Sequence, residues 1–199
     1  MNLLVFDNCV LISIKPEWVD LILSGKKTIE VRKGLPNLKQ PFKVYIYCTK
    51  GNSPKDILYI AQYDEKNNYI GDYLANGKIV AEFICNSIIE WNKDDYGANC
   101  YDIDDDSFEA ACIPLMSDYW EYGKGKTLYG WRIRDLKVYN EPHDITEFSQ
   151  SKFIKSATWF GALPSKSIDV NRLLNSARIE TKWLTRAPQS WCYVDNRRF

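Results

Sequence analysis

Ser13-Ile14-Lys15-Pro16-Glu17-Trp18-Val19-Asp20-Leu21-Ile22-Leu23-Ser24-Gly25-Lys26-Lys27-Thr28-Ile29-Glu30-Val31-Arg32 is the stretch on which the fold turns. It follows the apolar run Val10 to Ile14, which suits a buried strand. Pro16 opens a helix where a missing N–H costs nothing, and Glu17 complements the positive helix end. Trp18, Leu21 and Ile22 have helical i, i+3, i+4 spacing, and Gly25 is a left-handed stop. In the strand that follows, Ile29 and Val31 face one side and Thr28, Glu30 and Arg32 the other. With Lys27 at the lip, an ammonium, a hydroxyl, a carboxylate and a guanidinium gather within a few residues. A strand does not need that much chemistry in order to fold.

Working outward, Gly34, Pro36 and Asn37 mark a loop, and Phe42 to Cys48 alternates as a strand. Ile57 to Tyr63 and Tyr69 to Tyr73 flank Glu65-Lys66-Asn67-Asn68 as an inserted hairpin. Gly77 to Ile89 is apolar on both faces and reads as a central strand. Residues 92–126 read as a second insertion, with helices near Ser107 to Ala111 and Leu115 to Tyr122. Gly130 to Tyr139 resumes strand periodicity, and its apolar phase slips at Arg134-Asp135, the mark of a bulge. Pro142 to Phe148 reads as a turn with a short helical piece. Ser149 to Arg178 is expected to be a long, partly helical connection, and Trp191 to Val194 a closing strand. Strands and helices mix without β-α-β alternation, so the expected class is α+β, a compact barrel, in one domain over residues 1–199 with insertions near 52–75 and 92–126.

Apolar residues make up 45% of the 199 and aromatics 14%, enough to build a core and to exclude wholesale disorder. No apolar run approaches the roughly 20 residues of a membrane span. Met1 to Val10 lacks a basic leader region, so a cytoplasmic location is expected. The six cysteines are scattered and none forms C-x-x-C, which favours reduced thiols. The single histidine, His143, has no ligand-spaced partner, so neither a metal site nor a cofactor is expected. Asp102-Ile103-Asp104-Asp105-Asp106 lacks the glycine and terminal glutamate of a calcium loop and reads as solvated. Lys and Arg (26) balance Asp and Glu (26), which argues against a generic polyanion binder. The charge is nonetheless polarised. Residues 56–109 hold 13 acids against 3 bases, while residues 172–199 hold 6 bases against 2 acids.

Ile14-Lys15-Pro16-Glu17-Trp18 and Gly25-Lys26-Lys27-Thr28-Ile29-Glu30-Val31-Arg32 together resemble the opening of the ASCH (activating-signal-cointegrator homology) domain, with its strand, short helix and G-x-K-T-x-E-x-R strand. Gly130-Trp131-Arg132-Ile133, Leu136 to Tyr139 and Pro188 to Val194 are similar to a bacterial and phage subgroup. The resemblance implies a PUA-like bent β-barrel with a helix after the first strand, a cleft beside it, and RNA binding. Some compact members are assigned hydrolysis of acetylated cytidine, others ribonuclease activity. In the hydrolase subgroup the catalytic set is a lysine, a threonine three residues later and a later glutamate. The lysine corresponds to Lys27, but Glu30 stands at the threonine position and no later glutamate is matched.

On these grounds the expected function is recognition of RNA or a nucleotide in a cleft beside the 25–32 strand. Arg32 offers a planar fork for phosphate or a base edge, Lys27 a point charge, and Glu30 an acceptor for an amine or ribose hydroxyl. Thr28 shares their strand face, and Lys15 leaves the preceding strand towards the same cleft. Tyr47, Trp131 and Trp191 are the aromatics nominated to stack a base, worth roughly 1–3 kcal/mol. The alternative is a metal-free hydrolase of modified nucleosides or RNA, with Lys27 as base or electrostatic stabiliser and Glu30 activating water. A third reading is a protein-interaction module built on the insertions.

Overall fold

The computed structural model of the protein describes residues 8–51, 53–92, 101–155 and 177–196. β1 (Asn8–Ile14) runs into α1 (Pro16–Leu23), with Pro16 in the first turn and Glu17 beside the positive end. The helix buries Pro16, Val19 and Ile22, so its inward face is centred one residue away from Trp18. That rotation leaves Trp18 only partly covered. Gly25, at φ 74°, ends the turn as its lack of a Cβ permits. β2 (Ile29–Arg32) and β3 (Phe42–Cys48) follow, then a hairpin of β4 (Tyr59–Tyr63) and β5 (Tyr69–Leu74). Next come β6 (Ile79–Trp91), α2 (Asp105–Ala111), α3 (Met116–Gly123) and β7 (Leu128–His143). β8 (Ser149–Lys155), β9 (Ala177–Trp183) and β10 (Trp191–Asp195) complete the described chain.

The main sheet has six strands in the order β10-β1-β3-β6-β7-β2. β1 and β3 are parallel and every other pair is antiparallel. β6 sits between β3 and β7, the central position its apolar faces predict. β7 bends where expected: Asp135 has φ 49° and the β6–β7 register shifts opposite it.

Among the described residues a closed barrel does not form. β2 and β10 are the two edges of the sheet and do not pair with each other. The physical reason is that both edges are already occupied. Beside β2, the Thr28 N–H donates to the Ala110 carbonyl of α2 at 2.8 Å. Beside β10, Asp195 accepts from Ser149 Oγ at 2.6 Å and from the Ser151 N–H at 3.0 Å, holding the antiparallel β8–β9 pair there. From the β2 edge a side chain reaches β1: Arg32 Nη2 donates to the Ser13 carbonyl at 2.8 Å.

Ser149 to Lys155 is a strand rather than the start of a helical connection, and residues 156–176 of that expected connection lie outside the described residues. The serine-rich strand has weak propensity of its own and is held by Asp195, a contact with no local signature. One core cluster (Val44, Phe83, Trp131) packs under α1, and a second (Leu11, Tyr45, Phe148) lies on another part of the sheet. A third places Ile29 and Val31 of β2 against Trp91, Tyr101 and Tyr119, beneath α2 and α3. Among the described residues no helix is long and apolar enough to cross a membrane.

Candidate functional site

The end of α1 sets the geometry. The Lys27 N–H closes onto the Leu21 carbonyl at 2.9 Å, and the Thr28 N–H is taken by α2, so β2 starts with its alternation fixed. Glu30 and Arg32 therefore share one face, with the Lys27 side chain folding in beside them. All three are buried, at 2%, 6% and 8% exposure. Glu30 Oε1 lies 2.9 Å from Arg32 Nη2, and Oε2 lies 3.6 Å from Lys27 Nζ. The carboxylate thus bridges two cations. Lys27 Nζ also donates to the Ala111 carbonyl at the end of α2 and stands 5.3 Å from the Trp18 ring centroid. Arg32 Nε is buried without a hydrogen-bond partner. Burial lowers the Lys27 pKa from its ordinary value, with the Glu30 charge opposing the shift.

This cluster forms part of the wall of an open cavity of about 380 Å³. Ser13 and Lys15 border it on one side, Trp18 on another, and Ile113, Asp118 and Tyr122 opposite. Asp118 and Tyr122 are four residues apart on α3 and so fall on the same helical face. The segment from 92 to 126, read in sequence as accessory, supplies the second wall. Burial raises the Tyr122 phenol pKa while the Arg32 guanidinium beside it opposes the rise, and Lys33 Nζ lies 4.5 Å from its ring centroid.

The nominated residues divide. Lys27, Glu30 and Arg32 come together, and Lys15 stands exposed at the rim, 3.6 Å from Glu17. Thr28 is exposed and outside the cavity lining; its role here is its backbone bond to α2. Tyr47 is buried in the second core cluster, where burial pushes its phenol up. Trp131 is fully buried, edge-on to Phe42 at 5.8 Å, and half-buried Trp191 stands 6.1 Å from it. None of these three aromatics lines the cavity. Trp18 and Tyr122 do. Trp18, read in sequence on the apolar face of α1 with Leu21 and Ile22, becomes visible only once that face is seen to centre on Val19 and Ile22, and Tyr122 only once α3 is seen to dock.

Glu30 has both oxygens engaged, so it holds Lys27 and Arg32 in place more than it offers an open acceptor. Carboxylates at the rim, Glu17 and Asp118, are more exposed. Among the described residues, no three His, Cys, Asp or Glu side chains are grouped to hold a metal ion, and five cysteines are free thiols.

No curated protein matches the chain. Among solved structures, the crystal structure of ASCH from Zymomonas mobilis is similar at 18% identity, with a TM-score of 0.46 over 68% of this chain and 73% of that one. Two single-residue variants of that protein match at 17% identity, with TM-scores of 0.43 and 0.46. The ASCH domain family matches residues 12–166, more than half the length. On that match, the chain belongs to the ASCH domain family.

Proposed function

We propose that this chain is a single ASCH domain of PUA-like type, with the β4–β5 hairpin and the α2–α3 pair as insertions, and that it binds RNA or a nucleotide in the cleft between α1, β2 and α3. The observation that carries this reading is the buried Lys27–Glu30–Arg32 cluster beside an open cavity. Taking three charges out of water costs several kcal/mol per ion before pairing offsets it, and an apolar set would pack as well. A cluster retained at that cost in a cavity wall is expected to serve a ligand. Lys27 and Arg32 bring donors for carbonyl, base-edge or phosphate oxygens. Trp18 and Tyr122 offer aromatic surface for a base, taking the part first given to Tyr47, Trp131 and Trp191. The family's association with RNA agrees with this choice of ligand.

The second reading, a metal-free hydrolase of acetylated cytidine type or a ribonuclease, draws on the lowered pKa of Lys27, which raises the share of neutral amine able to accept a proton. Against it stand Glu30 at the threonine position and its two engaged oxygens.

One experiment separates the two. Trp fluorescence is titrated with ribonucleosides, acetylated cytidine and short single-stranded RNAs, and the same mixtures are assayed for products. Recognition predicts saturable quenching without turnover, weakened about tenfold by Tyr122→Ala through the loss of one stacking partner. Turnover abolished by Glu30→Gln would establish the hydrolase. Ligand binding untouched by Tyr122→Ala would move the site elsewhere.

A further inference from the structure

The cleft does not stop at the charged cluster. A second groove of about 330 Å³ is lined by Lys15, Pro16, Glu17, Thr49, Lys50, Gly51 and Asp56. Lys15, Glu17 and Thr49 line both spaces, so the two are continuous along the N-terminal end of α1. The far side of the groove is the loop after β3, which is held firmly. Asn76 Nδ2 donates to the carbonyls of Thr49, Lys50 and Asp56 at 3.3, 3.1 and 2.7 Å, while its Oδ1 accepts from the Leu58 N–H at 2.8 Å. The Lys50 stem lies across Gly77, where an added Cβ would meet Lys50 Cγ at 3.4 Å and Cε at 3.5 Å.

The groove also holds two carboxylates, and they differ. Asp56 Oδ2 accepts from the Ser53 N–H at 2.9 Å, which ties it to its own loop. Among the described residues Glu17 pairs with Lys15, exposed and at 3.6 Å, the kind of contact a stronger anion displaces. Two exposed lysines, one with a stem laid across a glycine and the other in an exchangeable pair, make a place for phosphate beside a cavity sized for a nucleoside.

Resting on the nucleotide-binding reading above, we infer that the Lys15–Lys50 groove takes the phosphate next to the nucleotide seated in the main cavity, so the ligand is a single-stranded RNA segment and not a free nucleoside. The link between the two spaces at Thr49 is the path by which a strand leaves the cavity.

The test measures affinity for a mixed-sequence RNA hexamer and for its constituent nucleosides over a salt series, with inorganic phosphate as competitor. The hexamer is expected to bind at least about tenfold more tightly than any nucleoside. Lys50→Gln should weaken the hexamer about threefold and lower its log–log salt slope by about 0.7, the share of one single-strand phosphate contact. Nucleoside affinity should not change, and Lys50→Arg should restore the hexamer. Glu17→Gln, which removes the carboxylate competing for Lys15, should tighten the hexamer two- to threefold. Inorganic phosphate should compete with the hexamer alone. Equal affinity for hexamer and nucleoside, an unmoved salt slope in Lys50→Gln, weaker binding in Glu17→Gln, or phosphate competing with nucleoside would each overturn the groove while leaving the cavity reading in place. Failure of both hexamer and nucleosides to bind would overturn the cavity reading and the groove with it.

Discussion

Lys27 is the residue on which the site's electrostatics turn. Its pKa is lowered in the folded protein, so between the folded value and the ordinary 10.5 the unfolded chain holds a proton that the folded chain has released. Where the unfolded state binds more protons, stability rises with pH. The contribution of Lys27 therefore climbs as pH passes through its folded pKa and levels off above 10.5. Urea denaturation of wild type and Lys27→Met from pH 7 to 10 should show the difference moving in favour of wild type. A constant difference would mean that the Glu30 pairing cancels the burial. At this scale the sequence was informative: the i, i+2 spacing of Glu30 and Arg32 on a strand puts both on one face whatever follows. It could not separate Thr28, whose N–H is claimed by Ala110, because that partner lies some eighty residues away.

At the scale of elements, the α2–α3 pair determines whether the cavity exists. Its docking depends on a close approach at Gly123, where a Cβ would sit 1.9 Å from the Tyr101 hydroxyl and 2.7 Å from its ring carbon. Tyr101 is itself buried and donates to the Lys126 carbonyl at 2.8 Å, so it has little room to move. Gly123→Ala is expected to cost about 1–3 kcal/mol through overpacking. The loss should fall on residues 105–123, with faster amide exchange there and weaker ligand binding, although no cavity-wall side chain is changed. Uniform loss of protection across the sheet would instead make the pair part of the main core. Helices were expected near Ser107 to Ala111 and Leu115 to Tyr122, close to α2 and α3, while the Asp104 cap on α2 was not read. What they cover was not legible, because Tyr119 and Trp120 look alike in sequence while only Tyr119 is fully buried.

For the whole molecule, the strands of the main sheet followed from alternation, while β8, β9 and closure did not. Whether six strands form a barrel or an open sheet depends on which group reaches the edge first, and here α2 and the β8–β9 pair reach it. The hairpin at 59–74 also leaves Tyr59, Tyr69 and Ile70 about 60% exposed, on the most acidic part of the chain. The Arg32 bond from β2 to β1 has a mechanical consequence. β1 is flanked in the sheet by β10 and β3, so the β2 edge reaches it through the Arg32 guanidinium, and a ligand seated in the proposed cavity would touch both strands. Ligand at a hundredfold over its dissociation constant should stabilise the fold by about 2.7 kcal/mol, read as a rise in Tm of several degrees. Arg32→Lys, which keeps the charge but loses the planar fork, should lower the unliganded Tm and shrink that rise. In such a protein melting temperature doubles as a ligand assay: a compound that raises it has bound the folded chain.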